Sequence, residues 1–266
     1  MSNEVSNKEV NKNTLQVISI LGVKVHRLTF DEALRTLKML MFDHGPNMII
    51  TLNTEMVMLA QRNASFREII NKAALILPDS IGLVWASTIL GDKLPERLPG
   101  VDIVQHFAQI INQNRFRLFL LGAAPGVAEQ VAIIFQNRYQ GIDIVGTYAG
   151  SPSIGNEENI CEIINRSKAQ ILLVAYKVPE QEFWIARNLN KLHVSIVINV
   201  GGTFDFIAGV TKRAPKWMQN AGLEWFFRLL QQPQRWRRML ALPRFALKVI
   251  LFRLHQKMHL NKYSQT

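Results

Sequence analysis

The chain has 266 residues, 48% of them hydrophobic, which excludes a disordered protein and suffices for one large α/β core or one core with an appendage. Its net charge of +11 reads at first as a nucleic-acid signal, but the charge is not spread evenly. Gly209 to Thr266 holds twelve basic residues against one acid, Glu224, while residues 1–208 hold 19 of each sign. A neutral body with a basic, Trp/Phe/Leu-rich tail suggests a protein held at a membrane surface, or a nucleic-acid binder. The plain alternative is a solvated basic face on a terminal helix.

The polar opening MSNEVSNKEVNKNT has no apolar run behind a charged stub, and the single cysteine, Cys161, cannot close an internal disulfide. Residues 1–15 are expected to be a disordered polar tail, and the chain to be cytosolic without a signal peptide. VISILGVKVHRL (17–28) then reads as one or two short strands, and Thr29-x-x-Glu32 as a capping box opening a helix over 31–40. Apolar runs alternate with helical patterns from there: NMIITLN before two helices over 54–63 and 65–73, LILP before a helix over 79–90, and RLFLLG before one over 125–139. IDIVGTYAG precedes a helix over 158–167, ILLVAY one over 179–192, and VSIVINVGG closes the series. This alternation predicts an α/β fold, a Rossmann-like, mostly parallel sheet with helices on both faces, over residues 16–208. Residues 209–266 are predicted to form a basic, amphipathic, helical, membrane-associated appendage.

Open parallel sheets bind ligands at the carboxyl ends of their strands. Polar and glycine residues fall at those ends here: Thr51 and Asn53, Asp79, Gly122, Tyr148 and Gly150, Gln181, then Gly201, Gly202 and Asp205. Each alone is an ordinary turn residue; their concentration points to one crevice lined by six strand ends. Asp79 follows a wholly apolar strand and opens a helix, so it is either the N-cap of that helix or a general base at the rim of the sheet. LLGAAPGVAE puts small residues between a strand and a helix, as suits phosphate approach to a helix N-terminus. The dinucleotide fingerprint, the P-loop and any Asp-x-Asp pair are absent. No metal ligand set and no cofactor are called for: His255-x-x-x-His259 has no neighbouring carboxylate and reads as helix surface. Without a metal, cations such as Arg97 or those of the tail remain to neutralise a departing diphosphate.

The stretches TLNTEMV (51–57), LPDSIGLVWAS (77–87), ERLPGVD (96–102), FLLGAAPGVAE (119–129), GTYAG (146–150), PEQEFWIA (179–186), GGTFDFIAG (201–209) and KRAPKWMQNAGLEWFFRLLQQPQRWRR (212–238) together resemble the WecG/TagA/CpsF family of bacterial N-acetylmannosaminyltransferases. The resemblance implies inverting, metal-independent transfer from a UDP-sugar to a polyprenyl-diphosphate-linked glycan acceptor. It implies Asp79 as catalytic base, Thr51 beside the reacting sugar, Asn53 and Gln181 in the substrate pocket, and Arg97 near the leaving phosphates. Gly201, Gly202 and Asp205 match the uridine loop, and Arg228, Arg235 and Arg238 the arginines that close over the diphosphate.

Departures from the family pattern are Leu52 for Pro, Ser80 for Gly, Ser151 for an aromatic, and Lys177-Val178-Pro179-Glu180-Gln181-Glu182 for Gly-x-Pro-Lys-Gln-Glu. They bear on donor specificity more than on reaction type.

On one idealised continuous helix the three tail arginines fall within roughly 80° of each other, able to face one anionic group, and Pro233 either breaks that helix or sits in a first turn. Beyond them LPRFALKVILFRL is shorter than the ~20 residues a membrane span needs, and Arg244, Lys248 and Arg253 interrupt it, so it is expected to lie in the interface. An enzyme on the inner face of the cell membrane, binding no nucleic acid, is the favoured reading. A Rossmann-like oxidoreductase or regulator and a nucleic-acid module are the alternatives. The assembly state is open, a homo-oligomer included.

Overall fold

The structure is a computed structural model and describes residues 15–43 and 45–263, without the side chains of 257 and 259–263. The expected polar tail lies outside the described residues except for Leu15, as does the side chain of His259. The first apolar stretch forms two strands, β1 (Val17–Ile20) and β2 (Val23–His26), in an antiparallel hairpin. Leu21 and Gly22 turn it with φ of 51° and 79°, the two positive values that a two-residue type I′ loop demands. The helix α1 (Phe30–Met41) opens on the predicted capping box: Thr29 accepts from the Glu32 amide, and Glu32 accepts from the Thr29 N–H at 2.8 Å.

The alternating series folds into six strands, β3 (Asn47–Leu52), β4 (Leu75–Pro78), β5 (Arg117–Gly122), β6 (Asp143–Tyr148), β7 (Ile171–Ala175) and β8 (Ile196–Asn199). They form one sheet in the order β4-β3-β8-β7-β5-β6, every neighbouring pair parallel. Its crossovers are α2 (Thr54–Ala60) and α3 (Ala64–Asn71), then α4 (Ile81–Leu90) and α5 (Gly100–Gln113), then α6 (Val127–Arg138), α7 (Glu157–Arg166) and α8 (Glu180–Asn188); the short α9 (Thr203–Ile207) follows β8.

Strand residues alternate between two cores, as the period of two requires. Ile50, Leu52, Leu121, Val174 and Val197 pack under α2, α3, α4, α7 and α8, while Ile49, Leu77, Leu120, Leu173 and Ile198 pack under α1, α5, α6 and α9. The edge strand β4 is covered by the hairpin, the Ile76 N–H donating to His26 Nδ1 at 3.0 Å. Burial holds that imidazole below its ordinary pKa, which favours the neutral ring that can accept.

Two expectations change. The series above has no helix between 90 and 117, yet α5 is there, its first turn behind Pro99 and its buried residues Val101, Ile103, Val104, Phe107, Ala108 and Ile111 spaced as one helical face. The tail is not one continuous helix either. It runs as α10 (Lys216–Asn220), α11 (Glu224–Gln231), a 3-10 turn at Pro233–Arg235, α12 (Trp236–Met239) and α13 (Ala241–Tyr263).

Pro233 cannot donate to the preceding turn and restarts the chain instead. The long α13 packs against α2 and α4, burying Phe245 and Val249 in the core. Its opposite side leaves Leu247, Leu251 and Leu254 exposed, so it is apolar on two faces rather than simply amphipathic. Among the described residues no helix is long and apolar enough to cross a membrane.

Candidate active site

A cleft of about 1090 Å³ opens over the carboxyl ends of the strands. Chain reversal at the centre of the sheet produces it: β3 and β8 lie side by side but send their following helices to opposite faces. Asp79 leaves β4 at the floor. Its Oδ1 accepts from the Gly100 N–H at 2.7 Å, so it caps the start of α5 and not its own helix, whose N-cap Ser80 makes no side-chain cap bond. Burial pushes the Asp79 carboxyl up to about 6, against the pull of the Gly100 N–H and of Arg97, although part of its surface stays open to the cleft. A carboxylate with a pKa near working pH is suited to taking a proton.

Gly100 also packs on Thr51: a Cβ there would lie 3.3 Å from Thr51 Cγ2 and 3.5 Å from its Oγ1. Gly100 thereby touches both Thr51 and Asp79. Behind Thr51 runs a buried polar network. The Thr51 N–H donates to Asn199 Oδ1 at 2.6 Å, and its hydroxyl donates toward Asn199, with the carbonyl oxygen at 3.0 Å and Oδ1 at 3.1 Å. Asn199 Nδ2 and Gln181 Nε2 both donate to Glu182 Oε1 at 2.7 Å, and Gln181 Oε1 accepts from the Gly201 N–H at 3.1 Å. Burial pushes Glu182 up to about 7, opposed by those two donors. Gly201 turns here with φ of +48°.

The tail forms the opposite wall. Arg228 lies over the Phe206 ring, 4.8 Å from its centroid, and so close to the β8 loop that a Cβ on Gly202 would sit 2.6 Å from Arg228 Nη2. Arg228 Nε and Arg235 Nε are buried without a hydrogen-bond partner. Burial, then Arg228 and Arg238, lower the pKa of Arg235 to about 10. Asp205 faces the same cations, its carboxyl raised by burial and held down by Arg228 and Arg235. Guanidinium groups crowded together with N–H groups unfilled form a receptor for an anion rich in acceptor oxygens.

Every residue singled out from the sequence as a site residue reaches this cleft: Thr51, Asn53, Asp79, Arg97, Gln181, Gly201, Gly202, Asp205, Arg228, Arg235 and Arg238 all line it. Two carry further duties. Asn53 caps α2, its Oδ1 accepting from the Met56 N–H at 3.0 Å. Arg97 is paired to Glu224 at 3.0 Å, and Glu224 in turn to Arg213, which holds Asp102 of α5 with a 2.7 Å bond from Nη2. The root of the tail is thereby tied to the body beside the acid. Of the other strand-end residues, Gly150 lines the cleft but Tyr148 and Gly122 do not; Gly122 serves packing, its φ of +98° bringing it against the Ala175 backbone.

Two members of the network escape sequence reasoning. Glu182 stands there only within the PEQEFWIA and 177–182 stretches, and Asn199 only within the run VSIVINVGG, with no signal that marks either as buried. Among the described residues no group of three His, Cys, Asp or Glu is placed to hold a metal ion.

A parallel sheet whose carboxyl edge sets a desolvated acid opposite a cluster of cations has the layout of a group-transfer enzyme acting on an anionic donor. The chain belongs to the glycosyl transferase WecG/TagA/CpsF family, whose model matches residues 18–259. It is therefore a glycosyltransferase. It is 33% identical over 202 residues to the N-acetylglucosaminyldiphosphoundecaprenol N-acetyl-beta-D-mannosaminyltransferase of Bacillus subtilis (strain 168), covering 76% of this chain and 78% of that protein. The protein of the same name from Staphylococcus aureus (strain MW2) is 30% identical over 243 residues, 91% of this chain and 94% of its own.

Proposed function

We infer that the enzyme transfers N-acetylmannosamine, or a related sugar, from a UDP-sugar to a polyprenyl-diphosphate-linked glycan, with inversion and without a metal. The carrying observation is that Asp79 and the arginine cluster line one cleft, with Arg228 close enough to act on the Asp79 carboxyl. The acceptor hydroxyl gives its proton to the Asp79 carboxylate as its oxygen forms the bond to the anomeric carbon. On the far side the bond from that carbon to the diphosphate oxygen breaks, and the electron pair leaves with UDP. A single displacement inverts the anomeric centre. Arg228, Arg235 and Arg238 take up the negative charge that grows on the leaving diphosphate, with Arg97 behind them. Thr51, Asn53 and Gln181 face the sugars, and Gly201, Gly202 and Asp205 the uridine.

The names of the curated relatives support the lipid-linked acceptor. Residues 16–208 act as the catalytic body, and residues 209–266 hold the enzyme to the anionic inner face of the cell membrane through exposed apolar residues interleaved with Arg244 and Lys248. A screen of UDP-sugars against a short-chain polyprenyl-diphosphate acceptor, with the anomeric configuration of the product read by NMR, tests the reading. A β-linked mannosaminyl product from an α-linked donor is expected. A retained configuration, or activity lost in EDTA and restored by magnesium or manganese, overturns the mechanism.

A further inference from the structure

Glu182 is fully buried, yet no step above uses it. Its Oε1 accepts both side-chain bonds, from Gln181 and Asn199, while Oε2 is buried with no partner. An acid with one oxygen left empty in the interior costs stability, so packing alone does not account for it. What it does determine is the orientation of two amides. A carboxylate offers only acceptors at its oxygens, so the nitrogen end of Asn199 faces Glu182 and its oxygen end faces Thr51. Gln181 is turned the same way, and its oxygen receives the Gly201 N–H.

The consequence falls on Thr51. Its one hydroxyl proton goes to Asn199, whose carbonyl and Oδ1 are both acceptors, so Thr51 Oγ1 shows only lone pairs to the cleft. Were Asn199 reversed, the Thr51 proton would stay on the Asn199 carbonyl, and Nδ2 would donate to Thr51 Oγ1 and occupy a lone pair otherwise open to the ligand. The reversal would also set one N–H against another at the Thr51 backbone.

We propose that Glu182 is a positioning residue of this enzyme: by orienting Asn199 and Gln181 it keeps the Thr51 hydroxyl oxygen free to accept from a sugar hydroxyl or amide N–H, and it holds the Gly201 loop. This deepens the transfer reaction inferred above and rests on it for its kinetic test. Glu182→Gln keeps an acceptor oxygen for both amides, whereas Glu182→Ala and the volume-filling Glu182→Met remove it.

The alanine and methionine variants are expected to lose about 10- to 100-fold in kcat on the short-chain acceptor, the cost of a misplaced contact, with Glu182→Gln restored to within a few-fold of wild type. In a Thr51→Val background the loss on removing Glu182 should shrink to the part carried by the Gly201 loop, since the hydroxyl oxygen it keeps open is gone. Should the alanine variant fail to fold, the methionine variant carries the same comparison. Amide hydrogen exchange at Thr51 and Gly201, measured without substrate, should quicken in both acceptor-lacking variants and not in Glu182→Gln.

Unchanged exchange in those two variants, a glutamine variant as slow as alanine, or a full loss in the Thr51→Val background would each overturn the proposal. Failure of wild type to transfer any sugar from UDP would sink the transfer reaction instead, and the exchange measurement would still decide the positioning.

Discussion

Thr51, Gln181 and Gly201 on the floor of the cleft, with Glu182 and Asn199 buried beneath them, give their hydrogen bonds to one another. Arg228 and Arg235 on the opposite wall each keep a buried Nε–H with nothing to receive it, and their mutual repulsion helps to lower the pKa of Arg235. The floor is paired before any substrate arrives, so its geometry is part of the fold and costs nothing to organise at the moment of reaction. The wall is only partly paired, Arg238 with Glu55 at 3.5 Å and Arg235 Nη1 with Gln232 at 2.8 Å, and the Nε–H groups of Arg228 and Arg235 wait for an anion. Substitutions in the floor should therefore act on rate through position, and substitutions in the wall on the affinity for anionic donor and leaving group.

The sharpest test of the floor is Asp79→Asn, which keeps size but cannot take a proton and should cost about 10²- to 10⁴-fold in turnover. The fold should survive, and UDP binding by calorimetry should stay near wild type. Near-wild-type turnover would reduce Asp79 to a cap on α5. Because the base acts ionised and its pKa lies near 6, wild-type kcat should climb as pH rises through about 6 and level off above it.

The same shift has the opposite sign for stability. The folded state holds the Asp79 proton more tightly than the unfolded chain does, so ionisation weakens the fold as pH rises from about 4 toward 6. Asp79→Asn should then melt higher than wild type at pH 7.5, with the gain fading below pH 4. A melting gap independent of pH would show that the carboxyl is not held in a desolvating place.

The wall comes next in size. Arg228→Ala, Arg235→Ala and Arg238→Ala should each cost roughly 1.5–3 kcal/mol of transition-state stabilisation on a water-soluble acceptor, the worth of a charge-assisted bond. Lysine should rescue poorly, lacking the planar fork. Since Arg235 is repelled by its neighbours, Arg235→Ala should leave the thermal midpoint of the free enzyme unchanged or raised. A marked fall would place the wall among the elements that stabilise the fold, and the contrast with the floor would be lost.

A gentler probe is Gly202→Ala, whose methyl would arrive 2.6 Å from Arg228 Nη2 and displace the guanidinium. The KM for the UDP-sugar should rise several-fold with little change in kcat; a fall in kcat alone would move Gly202 to the floor. The smallest effect concerns neither side of the cleft. Neutralising the exposed Arg244 and Lys248 should weaken binding to anionic liposomes by about 1 kcal/mol per charge at low salt, while turnover on a soluble acceptor is kept. Unaltered liposome binding would remove these two charges from the membrane contact.

Much of this molecule is legible in its sequence because its signals are local. Alternating apolar runs and helical patterns give six parallel strands, Thr29 and Glu32 give the capping box, and the clustering of polar residues at strand ends gives the cleft. The helix α5 is harder to read, since its start hides behind the loop-like Leu98-Pro99-Gly100. Asp79 shows the boundary well. Its place after an apolar strand marks it from sequence as a cap or a base, but which amide it caps depends on Gly100, 21 residues on, coming back to the floor.

Sequence by itself determined the class of fold, the edge of the sheet that holds the site, and the sign of charge carried by each part of the chain. Those properties follow from the spacing of side chains along one strand or helix, where neighbours in sequence are neighbours in space. Tertiary structure alone decided how Arg228, Arg235 and Arg238 meet. The single-helix geometry that aligned them does not exist, and they converge because the turn at Pro233 and the docking of α13 through Phe245 and Val249 fold that stretch over the cleft. It alone also decided that Glu182 is buried at a branch point and not solvated in a first helical turn. Burial depends on what the rest of the chain lays over a residue, and the hydrogen bonds it then must find come from Asn199, 17 residues away, as well as from its neighbour Gln181.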